Sequence, residues 1–309
     1  MHIPAHVIDP ATSIATGIAA TAALGYAAYR VRRESVRPSA GAVGATSACV
    51  FAAQMLNFPI SSHVSGHVLG GVAAVLVLGP WAGMIAMAAV LVVQCLLFQD
   101  GGLDALGANI LNMSILACGL GALCQQAIAR RLPSTAGQVV GAGVSAWLMV
   151  VAAAGACALE LSAGGSTPLA TILPTMLFHH AIIGMGEAAV TGLVALLLIA
   201  ASRRVATAPF MPMSAGSFAR GALVGLLAVA LVVACYGSTW ASALPDGLEA
   251  SLESAGVPSS EAVACCEFTT STFGIAAGVL ASFLIAALGC ISGKSRAGST
   301  SEMNTAPPL

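Results

Sequence analysis

Long apolar runs recur along almost the whole chain and are separated by charged residues, prolines or glycines. Nine such runs fall at residues 11–29, 41–57, 67–79, 81–98, 106–129, 137–159, 171–201, 217–240 and 271–291. Only 7% of the residues are charged, whereas about 25% are charged in an average soluble domain. Because a helix needs about 20 apolar residues to cross a bilayer core, the runs predict an all-α polytopic integral membrane helix bundle. We expect about seven transmembrane helices plus two appended C-terminal ones.

The third run, at 67–79, is short, because thirteen residues rise only about 20 Å as a helix. It could be a half-helix, a re-entrant segment or a full crossing. Arginines cluster after the first run, at 30–37, and after the fifth, at 130–131. If both clusters are cytoplasmic, an even number of crossings separates them, which favours a full crossing. On this topology the N-terminus is external, the C-terminus is cytoplasmic, and the external face is acidic.

Composition also divides the chain into parts. We expect a membrane domain at 1–205, a linker at 206–219, a two-helix domain at 220–291 with an outer loop at 241–270, and a disordered cytoplasmic tail at 292–309. The first ten residues contain no Lys or Arg, so no secretory signal is predicted and the N-terminus is expected to be retained. With 11 basic and 12 acidic residues, no basic surplus exists for a nucleic-acid partner.

All six histidines fall at the predicted outer end of the bundle. The bulky His2 should leave Met1 in place, so the terminal amine, the His2 amide nitrogen and the His2 imidazole can wrap around one cation. A deprotonated amide ligand favours a square-planar ion such as Ni(II) or Cu(II). One in-plane position stays open, and we expect His67 to fill it. His63 and His6 are alternative ligands.

Other polar residues lie inside the apolar runs. Glu187 is the only acidic residue predicted deep within a crossing, and it follows His180 by seven residues, which places both on one helix face. The two could support the ligands, lock helices together or contact the metal. Asn109 and Asn112 are separated by one helical turn and predict a helix–helix contact, with a ligand role for Asn109 as the alternative.

Short motifs carry a family resemblance. The chain begins Met-His-Ile-Pro, and further motifs lie at 51–59 (FAAQMLNFP), 65–71 (SGHVLGG), 78–83 (LGPWAG), 100–102 (DGG), 107–109 (GAN) and 180–187 (HAIIGMGE). Together they cover roughly residues 1–200 and resemble the CbiM/NikM family, the substrate-binding membrane components of cobalt and nickel energy-coupling-factor transporters. The segment at 245–249 (PDGLE) resembles the small CbiN/NikN-like partner subunit, here as a fused domain.

The resemblance implies a ligand set, partners and a location. The metal is expected to be held by the Met1 amine, the His2 amide and imidazole, and His67, with Ni²⁺ or Co²⁺ as the transported substrate. The partners are expected to be a transmembrane coupling subunit and two cytoplasmic ATPases in a bacterial or archaeal cytoplasmic membrane. The sequence departs from the family pattern at Ala5, at His6 and at 62–64, which affects the expected metal choice.

These observations predict the substrate-specific component of an ATP-driven nickel or cobalt importer that captures metal at its outer face. The chain is not expected to be an enzyme, because the segment at 289–295 is one residue short of a phosphate loop and follows a helix. A metal-dependent intramembrane enzyme and a standalone metal permease are the alternatives. Turnover without an ATPase partner would favour the first, and metal uptake by this chain alone would favour the second.

Overall fold

The computed structural model describes residues 1–164, 167–202, 242, 244–257 and 272–291. The helices in these ranges are α1 (Pro10–Arg33), α2 (Ala40–Gln54), α3 (Gly71–Leu78), α4 (Pro80–Phe98), α5 (Leu106–Arg131), α6 (Thr135–Ala163), α7 (Leu169–Ser202), α8 (Gly247–Ser254) and α9 (Thr272–Ile291). Helices α1, α4, α5, α6 and α7 are long and apolar enough to cross a membrane. The predicted all-α membrane protein is confirmed. The linker at 206–219, the run at 217–240 and the tail at 292–309 lie outside the described residues.

Helix ends lie where the sequence supplies caps. At the start of α1, the Asp9 carboxylate accepts hydrogen bonds from the first-turn amides, and Pro10 occupies the first helical position. Ser134 caps α6 in the same way by accepting from the Gly137 amide. Pro80 opens α4 directly after Gly79, whose φ of +80° reverses the chain in one residue. A tight turn therefore separates the third and fourth apolar runs.

Helix α3 is much shorter than the run that predicted it. Its eight residues rise about 12 Å, and most of them are buried among the neighbouring helices. Gly70 has a φ of +82°, so the helix begins only after it. Residues 67–70 are consequently non-helical, which corrects the predicted start at 67. An internal helix can be short because its neighbours, and not lipid, surround it.

A small hairpin precedes α3 and was not predicted. Phe58–Pro59 pairs antiparallel with Ser65–Gly66, with Phe58 opposite Gly66 and Pro59 opposite Ser65. Helix α2 ends at Gln54, so the second apolar run stops being helical about three residues before its predicted end. The hairpin leads directly into His67, which lies at one end of the bundle.

That same end of the bundle contains the chain terminus. Met1 and Ile3 are buried in one apolar cluster with side chains of α5, α6 and α7. Leu248 and Leu252 of α8 belong to the same cluster. The first residues and α8 are therefore part of the packed core at this end, where the candidate site lies.

Candidate metal centre

The N-terminal segment is anchored inside the bundle by backbone hydrogen bonds. The Ile3 amide donates to Asn109 Oδ1 at 2.9 Å, and Asn109 Nδ2 donates to the Ile3 carbonyl at 3.3 Å. The Gly102 amide also donates to the Ile3 carbonyl, at 2.8 Å. Gly101 has a φ of +95° and lies against the His2 side chain, where a Cβ would crowd Asn109. Asn109 thus holds the chain terminus, and not another helix as the sequence predicted.

The structure brings Met1, His2 and His67 together. The Met1 amine nitrogen lies 3.2 Å from His67 Nε2, and the rings of His2 and His67 stack with centroids 5.4 Å apart. Two nitrogens bound at right angles to one ion, each about 2.0–2.1 Å from it, lie about 2.9 Å apart. The separation of the amine and the imidazole is therefore close to that of two neighbouring ligands.

The hydrogen bond at Nδ1 fixes the tautomer of His67. Nδ1 donates to the Val68 carbonyl at 3.0 Å, so the lone pair of the neutral ring is on Nε2, which faces the Met1 amine. Burial, together with the positive charge of the amine, lowers the pKa of His67 to about 4. His67 is therefore neutral near pH 7 and presents a nitrogen that can bind a cation.

A chain of amides fixes the tautomer of His2. Gln54 Nε2 donates to the Leu69 carbonyl at 2.7 Å, and Gln94 Nε2 donates to Gln54 Oε1 at 2.9 Å. Gln94 Oε1 is then left to accept from His2 Nε2, at 3.1 Å. The lone pair of the neutral His2 ring is consequently on Nδ1. Burial and the charge of the amine lower the pKa of His2 to about 3, so this ring is neutral as well.

Gln94 occupies the first position of a π-helical turn, Gln94–Phe98, at the end of α4. Such turns are frequent at functional sites because they redirect side chains within an otherwise regular helix. Here the turn ends in the loop that carries Asp100, whose Oδ1 lies 3.1 Å from His2 Nδ1. Burial raises the pKa of Asp100, and a protonated Asp100 carboxyl can donate to Nδ1. The end of α4 and the loop after it therefore contact both ring nitrogens of His2.

The terminal amine is paired with a carboxylate. Asp246 Oδ2 lies 2.5 Å from the Met1 nitrogen. Burial on its own disfavours the charged amine, but the charge and hydrogen bond of Asp246 outweigh it and raise the pKa of the amine above 8.0. Burial likewise opposes ionisation of Asp246, and the amine overcomes this and lowers the pKa of that carboxyl. The amine and Asp246 form a partly buried ion pair.

Glu187 holds the loop that follows His67. Its two carboxylate oxygens accept from the amides of Leu69 at 2.6 Å and Gly70 at 2.8 Å, and its side chain is buried. These amides are at the start of α3, where helix donors are otherwise unpaired and a negative charge is favourable. Of the roles that the sequence left open for Glu187, these contacts favour two: they join α7 to the start of α3, and they hold the loop that follows His67.

The other candidate histidines lie at different distances from this cluster. His180 Nδ1 donates to the Met176 carbonyl at 2.8 Å, and His180 lines the small cavity beside the cluster. His6 is exposed and its amide donates to Asp104. His63 is exposed next to Ser62 in the hairpin loop. The cavity is lined by Met1, Gly66, His67, Leu69, Val150, His180, Ile183, Asp246 and Gly247.

Side chains alone do not form a metal site in the described part of the chain. Within these residues, no group of three or more His, Cys, Asp or Glu side chains is arranged to hold a metal ion. The cluster at the chain terminus can still offer several nitrogens, because the Met1 amine and the His2 amide belong to the backbone. Any metal bound there would depend on these two backbone nitrogens.

Sequence reasoning did not assign roles to Gln54, Gln94, Asp100 or Asp246. The first two are polar residues inside apolar runs, the same signal that singled out Asn109. Asp100 and Asp246 belong to the DGG and PDGLE motifs. The position of Asp246 in the PDGLE motif gave no sign that it reaches the amine, which is 245 residues away along the chain.

Comparisons with known proteins agree with these features. Residues 2–206 match the model of the CbiM family, described as the cobalt uptake substrate-specific transmembrane region. The fused nickel transport protein NikMN of Rhodobacter capsulatus is 34% identical over 266 residues, which are 78% of this chain and 74% of that protein. A protein of Archaeoglobus fulgidus with the words "fused nickel transport protein NikMN" in its name is 37% identical over 231 residues, 74% of this chain and 75% of its own length.

A solved structure is also similar. The crystal structure of a transition metal transporter is 32% identical to this chain and superposes with a TM-score of 0.59. The match covers 66% of this chain and 95% of that one. The shared fold therefore extends over nearly the whole of the solved protein.

Proposed function

The chain belongs to the CbiM family of cobalt uptake substrate-specific transmembrane regions, and we propose that it is the metal-binding component of an ATP-driven nickel or cobalt importer. It is a membrane component of cobalt and nickel transport. The observation that carries the finer proposal is the 3.2 Å contact between the Met1 amine and His67 Nε2 inside the bundle. A terminal amine and an uncharged imidazole nitrogen meet there without an apolar side chain between them.

The proposed ligands are the Met1 amine, the His2 amide nitrogen, His2 Nδ1 and His67 Nε2. Amine and amide close a five-membered chelate ring on the ion, and the amide and Nδ1 close a six-membered one. The tautomers set by Val68 and Gln94 support this assignment, because they leave the lone pairs on the two nitrogens that the chelate needs. Binding releases the protons of the amine and the amide.

A deprotonated amide in a planar nitrogen set favours nickel over cobalt. Nitrogen sites bind Ni²⁺ more tightly than Co²⁺, and Ni²⁺ accepts planar geometry. Relatives of this chain carry both metals in their names: NikMN of Rhodobacter capsulatus is a nickel transport protein and CbiM of Sorangium cellulosum a cobalt transport protein. We therefore propose nickel as the preferred substrate and cobalt as the second.

We propose that the site opens to the outside of a bacterial or archaeal cytoplasmic membrane, with the N-terminus external and the C-terminus cytoplasmic. The distribution of arginines along the sequence supports this orientation. Residues 1–205 then form the metal-binding domain, and 220–291 form the fused PDGLE domain, whose segment at 244–257 reaches the site. A transmembrane coupling subunit and two cytoplasmic ATPases would supply the energy for uphill transport.

The test uses the full chain, purified in detergent with its native first residue, and measures nickel per chain by elemental analysis. We expect one tightly bound Ni²⁺ per chain, and none after acetylation of the Met1 amine or in His67→Ala. His63→Ala is the matched control, because it removes a nearby exposed histidine, and it should bind nickel normally. Helix content from circular dichroism checks that each form is folded. An acetylated, folded protein that still binds nickel with unchanged affinity would refute the site.

A further inference from the structure

The ion pair between Met1 and Asp246 joins the first residue to the PDGLE segment. The Met1 side chain is buried (4% exposed) and the Asp246 side chain is partly buried (15% exposed), and the nitrogen and oxygen are 2.5 Å apart. A terminal amine in this position is the group that the proposed function requires as a metal ligand. The contact therefore fastens the PDGLE segment to a nitrogen of the proposed metal site.

The local structure of the PDGLE segment aims one oxygen of Asp246 at the amine. Asp246 caps α8, and its Oδ1 accepts from the amides of Leu248 at 2.8 Å and Glu249 at 2.9 Å. In return, Glu249 Oε2 accepts from the Asp246 amide at 2.8 Å. Because Oδ1 serves the cap, Oδ2 is the oxygen left to contact the amine.

The segment at 244–257 is docked over the site on two sides. The carbonyls of Leu244 and Pro245 accept from the Ser65 hydroxyl at 2.6 Å and the Ser65 amide at 2.8 Å, two residues before His67. On the other side, Leu248 and Leu252 are fully buried. Gly247 lies so close to His180 and His179 of α7 that a Cβ would crowd both. The segment therefore spans from the hairpin to α7 and covers the amine.

We propose that the segment at 244–257 is a lid on the metal site and that Asp246 is its lock. Asp246 fastens the lid through its contact with the Met1 amine, and this contact must be released before an ion that enters from outside can reach the amine. This inference rests on the proposed function only for the identity of the ion that displaces the contact. The lock itself, a contact between Asp246 and the Met1 amine, does not depend on which ion binds.

Asp246→Asn separates the lock from the cap. An asparagine retains Oδ1 as an acceptor for the first-turn amides of α8, and it is as good an N-cap as aspartate, but it carries no charge for the amine. Glu253→Gln is the matched control, because it neutralises an exposed acidic residue on the same helix. Both variants are made in the full chain with its native first residue.

The first measurement needs no metal. Met1 and Lys294 carry the two primary amines of the chain, so a succinimidyl ester labels them alone, and mass spectrometry follows each amine with Lys294 as the internal reference. We expect the Met1 amine of Asp246→Asn to react at least about tenfold faster than that of the unmodified chain, because loss of the contact that fastens the lid favours its open form by more than this factor. Glu253→Gln should react like the unmodified chain. Equal Met1 labelling rates in Asp246→Asn and the unmodified chain would overturn the lock.

The second measurement is the rate of Ni²⁺ association, followed by absorbance after rapid mixing. Asp246→Asn should bind faster, by about the same factor as its labelling rate, and no more weakly at equilibrium. Slower and weaker binding by this variant would make Asp246 a metal ligand and overturn its role as a lock. If the unmodified chain binds no nickel, the proposed function fails, and the labelling rates still decide whether Asp246 locks the amine.

Discussion

Asn109 is paired with the backbone of Ile3 through both ends of its carboxamide: Oδ1 accepts from the Ile3 amide and Nδ2 donates to the Ile3 carbonyl. A chain terminus is normally among the least ordered parts of a protein. Here the third residue is fixed to a buried helix, so the amine, the amide and the imidazole that precede it are held in position before any ion arrives. Preorganisation of this kind raises affinity, because the ordering cost is met on folding and not on binding.

Asn109→Ala should therefore weaken nickel binding and destabilise the fold. The substitution leaves the buried Ile3 amide without its acceptor, which costs about 1–3 kcal/mol. Nickel titration and thermal unfolding of the detergent-purified protein measure the two effects. The control is Asn112→Ala, which removes a neighbouring asparagine whose partner is Glu160. Equal nickel affinity in the two variants would contradict a role for Asn109 in holding the terminus.

Gln94→Ala should lower nickel affinity about 10–100-fold, as loss of a hydrogen-bond partner behind a metal-binding histidine typically does. Without Gln94 Oε1, nothing in the amide chain requires His2 to carry its proton on Nε2, and the proton can move to Nδ1, which faces Asp100. Gln125→Ala is the matched control, because it removes another buried glutamine, on α5. The comparison is made by nickel titration. Unchanged affinity in Gln94→Ala would show that the tautomer of His2 does not limit binding.

Glu187→Ala should reduce both stability and nickel affinity, because the amides of Leu69 and Gly70 lose their acceptors and the loop after His67 is released. We expect a loss of about 1–3 kcal/mol for each unpaired buried amide, which unfolding experiments measure. Glu187→Gln retains one acceptor oxygen and should lie between Glu187→Ala and the unmodified chain. Glu160→Gln, which alters an acidic residue bonded to Asn112, should bind nickel normally. A Glu187→Ala variant with unchanged affinity would disprove the positioning role.

Nickel affinity should rise with pH. Although burial opposes its charge, Asp246 raises the pKa of the Met1 amine above 8.0, so near pH 7 the ion must displace the amine proton as well as the amide proton. His2 and His67, with pKa values lowered by burial to about 3 and about 4, are already neutral and release none. Two displaced protons reduce the apparent affinity about a hundredfold for each pH unit downward. Titrations between about pH 6 and about pH 7.5 measure the slope, and a pH-independent affinity would exclude the amine as a ligand.

The sequence predicted most of the helices of the bundle because their causes are local. Apolar length, the proline at 80 and the capping residues Asp9 and Ser134 all act within a few positions of the helix that they define. The start of α3 was predicted wrongly for a conformational reason: the run is apolar from Val68 onward, but Gly70 takes a positive φ. The hydrophobicity of the run does not reveal that Gly70 takes this conformation.

The site was predictable in part. The chelating potential of Met1 and His2 follows from their chemistry, and the choice of His67 remains a prediction that the 3.2 Å contact supports. Asn109 was noticed as a polar residue in an apolar run, but its partner could not be inferred, because the contact joins segments 106 residues apart. The contact of Asp246 with the Met1 amine could not be inferred for the same reason. Tertiary packing decides such pairs, and neither periodicity nor motif spacing specifies them.

The amide chain from Leu69 through Gln54 and Gln94 to His2 has a consequence for release of the ion. The backbone of Leu69 is bonded at its carbonyl to this chain and at its amide to Glu187, and it lies two residues from His67. Both imidazoles are thus linked to the same residue, Leu69, so a movement of this residue reorients the two rings together. Under the proposed function, a shift of α7 against α2 and α4 would disturb both rings together, and a bound ion would lose both imidazole ligands at the same time.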